Sequence, residues 1–358
     1  MIRVGLIGYG YAGRTFHSPL IRATPGLELA AISSSRPDQV RADVPGMLVV
    51  PSPRDICALP AVDLVVIATP NDTHLPLTMM ALDAEKHVVV EKPFAPTLDD
   101  ARALVSHARR TRRVLTAFQN RRWDGDFVAA TDLLARSVLG EVSHFESHFD
   151  RYRPLVRDRW RERAGPGAGL WYDLGPHLVD QALQLFGLPD RVTASLAAQR
   201  AGAQSDDWAH AILAYGSRRV ILHTSVLAAA PSPRFVVHGH AGSWIKYGLD
   251  AQERLLIAAL TPGEAGPEVD DERAVLVDGS SGAEREMPIP RGDYRQLYAR
   301  IRDAVQGVGS NPVPPEQALA VTAVVETAIR SSIEGRALEL PLSDAEVRAF
   351  TAANTPRT

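Results

Sequence analysis

The sequence predicts an α/β chain in two parts. A parallel sheet doubly wound by helices comes first, and an α+β domain on a large, mostly antiparallel open sheet follows. Three observations predict it. Short, continuously apolar strands alternate with helical stretches over the first third, as a parallel sheet covered on both faces requires. A glycine pattern punctuates the first strand–helix junction. Beyond residue 121 the pattern changes to longer runs that alternate polar and apolar, the signature of half-exposed strands. The division is expected at 121/122, giving parts 1–121 and 122–358, with the last helices returning to the first part.

IRVGLIG reads as the first strand, and Tyr11 to Ala23 as a helix. LELAAIS, MLVV and DLVVIA are the next strands. Thr73 to Ala84 is helical, with Thr73 as its cap. KHVVVEKP is a strand stopped by Pro93. Thr97 to Thr111 is an amphipathic helix: Thr97 is its N-cap, and Asp99 and Asp100 suit its positive end. RVLTAFQN closes this set. A helix spans Asp124 to Arg136. EVSHFESHF, RVTASLAAQ, HAILAYG, RRVILHTSV, RFVVHGH and SWIKYG supply the second sheet, interrupted by a helix from Tyr172 to Phe186. Two further helices run near Tyr294–Gln306 and Pro315–Ser332. Residues 261–285, rich in Gly, Glu, Asp and Ser, read as surface loop.

Composition removes several function classes. Lys plus Arg is 39 against 42 for Asp plus Glu, so a net charge of −3 gives no electrostatic case for nucleic acid or an anionic membrane. No run approaches the roughly 20 apolar residues of a membrane helix. The start, MIRVGLIGYGYAG, is broken by glycines and lacks the charged region of a leader. Cys57 is the one cysteine, which rules out an internal disulfide and a Cys-rich zinc site. These features predict a cytoplasmic protein. His144, His148, His210, His223, His238 and His240 fall on strands and read as structural or surface groups, so no metal is expected.

Gly8-Tyr9-Gly10-Tyr11-Ala12-Gly13 matches G-x-G-x-x-G between a strand and a helix, the context that makes the pattern a dinucleotide fingerprint. Gly8 allows the turn, Gly10 lets backbone approach a pyrophosphate, and Gly13 lets helix and strand pack. The helix N-terminus offers N–H groups to phosphate. About 20 residues on, NAD-specific folds place an acid for the ribose hydroxyls. Here the stretch is Ser33-Ser34-Ser35-Arg36. Small hydroxyls and a guanidinium suit a 2′-phosphate, predicting NADP(H) first and NAD(H) second. The alternative is a plain polar turn serving both cofactors.

Three more stretches complete a set: Ala68-Thr69-Pro70-Asn71-Asp72-Thr73-His74, Glu91-Lys92-Pro93, and Gly169-Leu-Trp-Tyr-Asp173-Leu-Gly-Pro-His177. With the glycine loop, they make the chain resemble the Gfo/Idh/MocA oxidoreductases over residues 1–335. Gln119-Asn120-Arg-Arg-Trp123-Asp124 resembles the subgroup with NADP-linked scyllo-inositol dehydrogenases. The resemblance implies a Rossmann first domain and a sugar or polyol dehydrogenase. Thr69, Pro70, Asn71, His74, Glu91 and Asn120 would serve the cofactor side, as would a Trp160-Arg161 pair. Lys92, Asp173 and His177 would be the catalytic set. Trp123, Arg153 and Trp160 would join these three on the substrate side.

Elementary chemistry agrees. Lys92 falls at the carboxyl end of a parallel strand, where such sheets bind ligands, and a lysine there can trade a proton with a substrate hydroxyl. Asp173 and His177 are four apart at a helix start and share a face. Two rival functions use the same fold: a glycoside hydrolase working through transient oxidation, and a non-enzymatic NADP-sensing regulator. The regulator needs the glycine loop but not Lys92, Asp173 and His177. Apolar residues at alternate positions of EVSHFESHF and RRVILHTSV suggest an open sheet face that another copy covers, predicting a homodimer or homotetramer.

Overall fold

The computed structural model describes residues 1–165, 167–259, 261–262 and 273–354; the Trp160 side chain lies outside that description. The chain forms two compact units. The first gathers Met1–Trp123, Ala251–Glu268 and Asp293–Leu319; the second gathers Asp124–Asp250, Val269–Gly292 and Ala320–Thr358. The expected cut at 121/122 lies two residues before the first crossing, and the chain returns to the first unit twice, over 251–268 and, as the expected return of the last helices allows, over 293–319.

The first unit is built on six parallel strands: β1 Ile2–Ile7, β2 Leu27–Ser33, β3 Leu48–Val50, β4 Leu64–Ile67, β5 His87–Val90 and β6 Leu115–Ala117. Their order, β3-β2-β1-β4-β5-β6, reverses direction between β1 and β4. That is the Rossmann switch point, where carboxyl strand ends open a crevice. The central strands are apolar throughout because helices cover both faces; Leu64, Val65, Val66 and Ile67 are wholly buried. The expected Thr97 cap is present, its hydroxyl accepting from Asp100 N at 3.1 Å.

The returns belong here because of aromatic packing. The helix Arg295–Val305 buries Leu297, Tyr298 and Ile301. Tyr294, just before it, lies 6.3 Å from the Phe16 ring, and Tyr298 lies 6.1 Å from Phe118. Sequence reading gave this helix and expected the last helices to return to the first part, but nothing local in an amphipathic stripe names its aromatic partners.

The second unit carries eight strands: β7 Val142–Asp150, β8 Arg191–Ala197, β9 Trp208–Tyr215, β10 Arg218–Ser225, β11 Pro233–Gly239, β12 Gly242–Tyr247, β13 Ala274–Asp278 and β14 Glu284–Glu286. Their order is β14-β13-β12-β11-β7-β10-β9-β8. All neighbours are antiparallel except β7 and β10. β13 corrects the reading of 261–285 as loop. The run Ala274-Val-Leu-Val277 was a usable strand signal, hidden by the polar residues around it; residues 263–272 of that stretch lie outside the description. The helix Pro53–Ala58 was also missed, although Ser52 and Asp55 cap each other reciprocally, at 3.3 and 3.0 Å.

One face of this sheet meets the helix Leu170–Phe186. Phe145, Phe149, Val220 and Leu222 point to that side and join Trp171, Leu174 and Leu178 in the core. Thus the most apolar residues of the alternation serve the interior. The other face still carries an apolar row: Ile212, Ile221, Val236 and Ile245 stand in register across β9, β10, β11 and β12, half-buried, with Glu146 of β7 among them.

Candidate active site

In the first unit, β1 ends in the glycine loop. Gly8 sits at φ +95, and a Cβ there would run into the Ala68 carbonyl oxygen. A Cβ on Gly13 would run into the Gly8 carbonyl oxygen, so helix and strand meet at backbone distance. At Gly10 a Cβ would meet nothing within 4 Å, which leaves open space beside the helix start. The loop therefore fits a dinucleotide's pyrophosphate. Helical geometry begins at Tyr11, and the ring of residues Gly13–His17 is a π turn, a feature common at functional sites. Tyr9 is buried, while the Tyr11 hydroxyl donates to Glu253 Oε1 at 2.9 Å. Glu253 also takes Arg121 Nη2 at 2.5 Å.

At the end of β2, Ser33 is buried and Ser35 and Arg36 are exposed. The Ser34 hydroxyl accepts from Arg36 N at 3.0 Å, which shapes the turn. Arg14 is taken by Asp43 through two bonds, of 2.7 and 3.0 Å, and Arg41 pairs with Asp38. Among the described residues no carboxylate pairs with Arg36.

The ends of β4 and β5 are tied together. His74 is fully buried, its Nδ1 2.8 Å from the Pro93 carbonyl oxygen and its Nε2 3.1 Å from that of Thr69. Burial pulls its pKa down, and the two carbonyls pull the other way. His74 was expected to line the cofactor cleft. Both its nitrogens face backbone carbonyls, and the neutral ring donates to one of them, so it packs between the Thr69 and Lys92 turns. Asn71 is buried in the short 3-10 turn between them, and Asn120 is buried past β6. Thr69 and Thr73 share a hydroxyl contact of 2.6 Å. Strand β5 ends at Val90, three residues before Pro93, and the Lys92–Pro93 peptide is cis.

Glu91 is likewise turned inward. Its Oε2 accepts from Lys92 N at 3.0 Å, and its Oε1 lies 3.0 Å from His17 Nε2. The other nitrogen of His17 lies 2.6 Å from the Tyr298 hydroxyl. Burial would raise the Glu91 pKa, but His17 and then Lys92 outweigh it and hold the carboxyl below its ordinary value. Burial, and then Glu91, push Tyr298 well up. His17 and Tyr298 are partners of the Glu91 carboxylate that sequence reading missed. They lie 74 and 207 residues from Glu91, and no short motif links them. Lys92 itself is half-buried.

In the second unit, Asp173 and His177 lie on the helix Leu170–Phe186. Asp206 starts that helix from a distance: its backbone oxygen accepts from Leu170 N at 2.8 Å and its Oδ2 from Trp171 N at 2.7 Å. Gly169 leaves room for it, since a Cβ there would meet the Asp206 carboxylate. Burial pushes the Asp206 carboxyl up to about 6 against the pull of those N–H groups. Pro176 is interior, the seventh helical residue; the helix starts two residues earlier than the sequence suggested. It has no N–H to donate to the Tyr172 carbonyl. His177 is buried at 5% exposure. Arg161 Nε approaches Asp173 Oδ1 at 3.7 Å, which turns this expected cofactor residue toward the carboxylate. Arg153 stands among Arg151, Arg157 and Arg159; burial and these charges lower its pKa. Trp123 is half-buried, its carbonyl accepting from Gln252 Nε2 and Asp293 N.

Comparison with known proteins agrees with this architecture. Residues 2–119 match the oxidoreductase family's NAD-binding Rossmann domain, and residues 131–340 match its C-terminal alpha/beta domain. The chain is 56% identical over 333 residues to the uncharacterized oxidoreductase YdgJ of Escherichia coli, covering 92% of this chain and 96% of that one. It is 36% identical to the scyllo-inositol 2-dehydrogenase (NADP(+)) IolW of Bacillus subtilis, over 95% and 96% of the two chains. A solved Klebsiella pneumoniae chain assigned to the oxidoreductases superposes with a TM-score of 0.93 at 48% identity, covering 99% of each. No helix among the described residues is long and apolar enough to cross a membrane. The chain belongs to the Gfo/Idh/MocA family and is an oxidoreductase built on an NAD(P)-binding Rossmann domain.

Proposed function

We propose that the chain is an NADP(H)-dependent dehydrogenase that interconverts a secondary alcohol and a ketone on a sugar, cyclitol or sugar derivative. One observation carries the cofactor choice. The end of β2 offers three serines and an exposed Arg36 that no carboxylate neutralises among the described residues. An acid in that place would repel a 2′-phosphate; a guanidinium binds it. The relative IolW, named for NADP(+) and scyllo-inositol, supports both the cofactor and the substrate class.

When bound, the nicotinamide supplies hydride acceptance or donation. The glycine loop, Thr69, Pro70, Asn71 and Asn120 would hold the dinucleotide. Lys92 holds the substrate hydroxyl and stabilises the negative charge that grows on its oxygen. His177 takes or returns the proton, and Asp173 orients the imidazole and supports its positive form. Glu91, His17 and His74 fix the Lys92 turn. Trp123, Arg153 and Arg161 would contact the polyol or the cofactor's reactive end. The testing experiment is an NADP+-reduction screen across inositols, aldoses and deoxysugars. Turnover faster with NADP+ than with NAD+ is expected; no reduction of either cofactor with any polyol would sink this function.

The chain is further proposed to act as a homodimer or homotetramer. The half-buried row Ile212, Ile221, Val236 and Ile245 is more apolar than a solvated sheet face needs. Light scattering of the purified protein should give at least twice the chain mass, and a monomeric mass in dilute solution would refute it.

A further inference from the structure

Strand β7 alternates, so Phe145 and Phe149 go to the core while His144, Glu146, His148 and Asp150 share the other face. Its parallel neighbour β10 places His223 opposite His148, and β9 places His210 opposite His223. Three strands thus bring four imidazoles and two carboxylates together, away from the helix that bears Asp173 and His177.

The side chains are oriented as well as close. Glu146 takes the Nε2 atoms of His144 and His148 on its two oxygens, each at 2.7 Å. An ionised carboxylate only accepts, so His148 carries a proton on Nε2 and its Nδ1 faces the other way. There Nδ1 lies 3.6 Å from Asp150 Oδ2. His223 is placed from its own far side, its Nδ1 3.3 Å from His210 Nδ1. With the bridging proton on His223, its Nε2 lone pair faces Asp150 Oδ1, 3.6 Å away. Neither separation is a hydrogen bond. Both are close to the spacing of about 3.4 Å between donor atoms that share one tetrahedral ion at about 2.1 Å.

Asp150 supplies an independent observation. Its side chain is 9% exposed, and its Oδ1 is buried with no hydrogen-bond partner. His148 and the Ser232 hydroxyl both act on the same carboxylate without relieving that oxygen. A buried carboxylate oxygen that faces an imidazole at 3.6 Å asks for a cation between them.

We propose that His148 Nδ1, His223 Nε2 and the Asp150 carboxylate bind a divalent transition-metal ion, zinc first, with Glu146 holding His148 by its far nitrogen. The ligand atoms of these three residues all lie within 4.8 Å of one another. Imidazole and carboxylate donors suit zinc, cobalt and nickel rather than the all-oxygen preference of magnesium or calcium. The carboxylate–histidine contact from Glu146 is the arrangement that orients histidine ligands and raises their basicity. The ion would cross-link the central strands β7 and β10 on the face opposite the helix, so its role is structural. Sequence reading expects no metal here, since the ligands come from strands about 70 residues apart. Their shared parity is readable from sequence, but the β7–β10 register is not.

The test uses full-length, tag-free protein stripped with chelator and desalted, titrated with Zn2+ alone by calorimetry and with Co2+ alone by visible d–d absorption. One ion per chain and a tetrahedral or five-coordinate cobalt spectrum are expected. Asp150→Asn and His223→Gln should each weaken Zn2+ binding by roughly a hundredfold or more, and Glu146→Gln by about ten- to a hundredfold. His240→Gln should leave it unchanged. Unfolding midpoints in chelator should match wild type for every variant, which separates lost ligation from lost fold. Absence of saturable binding to the wild type, or stoichiometric binding that survives the Asp150→Asn/His223→Gln pair, overturns the proposal. A folded Asp150→Asn variant with wild-type Zn2+ affinity does the same.

Discussion

The two sheets put their chemistry in different places. The parallel sheet is apolar on both faces, so polar groups reach only its strand ends, and Thr69, Lys92 and the glycine loop all sit there. The larger sheet is covered on one side, so every second residue of its strands is available for chemistry, and β7 spends four of them on His144, Glu146, His148 and Asp150. A site at strand ends is read from motifs that follow the chain. A site on a sheet face is read only once the register is known.

The comparison breaks first at Lys92. If the strand end is where protons move, Lys92→Met should lower kcat by a hundredfold to ten-thousandfold while NADPH affinity and fold stay nearly unchanged. Asp173→Asn should cost less, because orientation weakens but the proton carrier survives. Stopped-flow hydride transfer and NADPH binding on each variant distinguish these; near-wild-type transfer in Lys92→Met removes the assignment.

Beneath that strand end lies a buried pair. His17→Leu strands the Glu91 carboxylate and should destabilise the protein by about 3–5 kcal/mol in denaturant unfolding. Because the Glu91 pKa is depressed, the paired state's stability is whole above glutamate's ordinary 4.5 and is lost as pH falls through the folded value. Wild type and His17→Leu should therefore converge in acid. Equal stability at pH 7 would show that the contact contributes nothing.

Asp206 in the second unit should behave with the opposite sign. Its carboxyl is raised from 3.8 to about 6, so the folded form holds its proton longer than the unfolded chain does. Its contribution is full below about 3.8 and is lost as pH rises through about 6, a span worth about 3 kcal/mol. Asp206→Asn should flatten the pH dependence of stability between those values. A slope identical to wild type would mean that the Trp171 N–H bond, not burial, governs the group.

The smallest effect sharpens the cofactor reading. Arg36→Ala should weaken NADPH binding by about 1.5–3 kcal/mol, roughly ten- to a hundredfold, and leave NADH nearly untouched. Equal loss for both cofactors, or a wild type that prefers NADH, would return this turn to a plain polar one.

Much of the first sheet was legible because its signals are local. Strand, glycine loop and helix follow one another within the span from Ile2 to Arg22, and Thr97 announces its helix by its hydroxyl and the acids after it. The partners of the site groups were not legible. Glu91 was expected on the cofactor side, but its partner His17, and Tyr298 beyond it, were not legible. The 3.7 Å approach of Arg161 to Asp173 was not foreseen either. Asp206 is invisible as a helix cap because it lies 35 residues past Trp171. In each case the missing information was a long-range pairing, which side-chain type and spacing do not encode.

His74 carries a consequence for anyone who would rebuild this enzyme. One imidazole joins the loop after β4 to the loop after β5, by carbonyls 24 residues apart in sequence. Neither loop can be lengthened, shortened or exchanged alone without detaching the ring from one of its anchors. The transplantable part is thus the pair of loops with the histidine between them, and a library that varies one loop should hold the other and His74 constant.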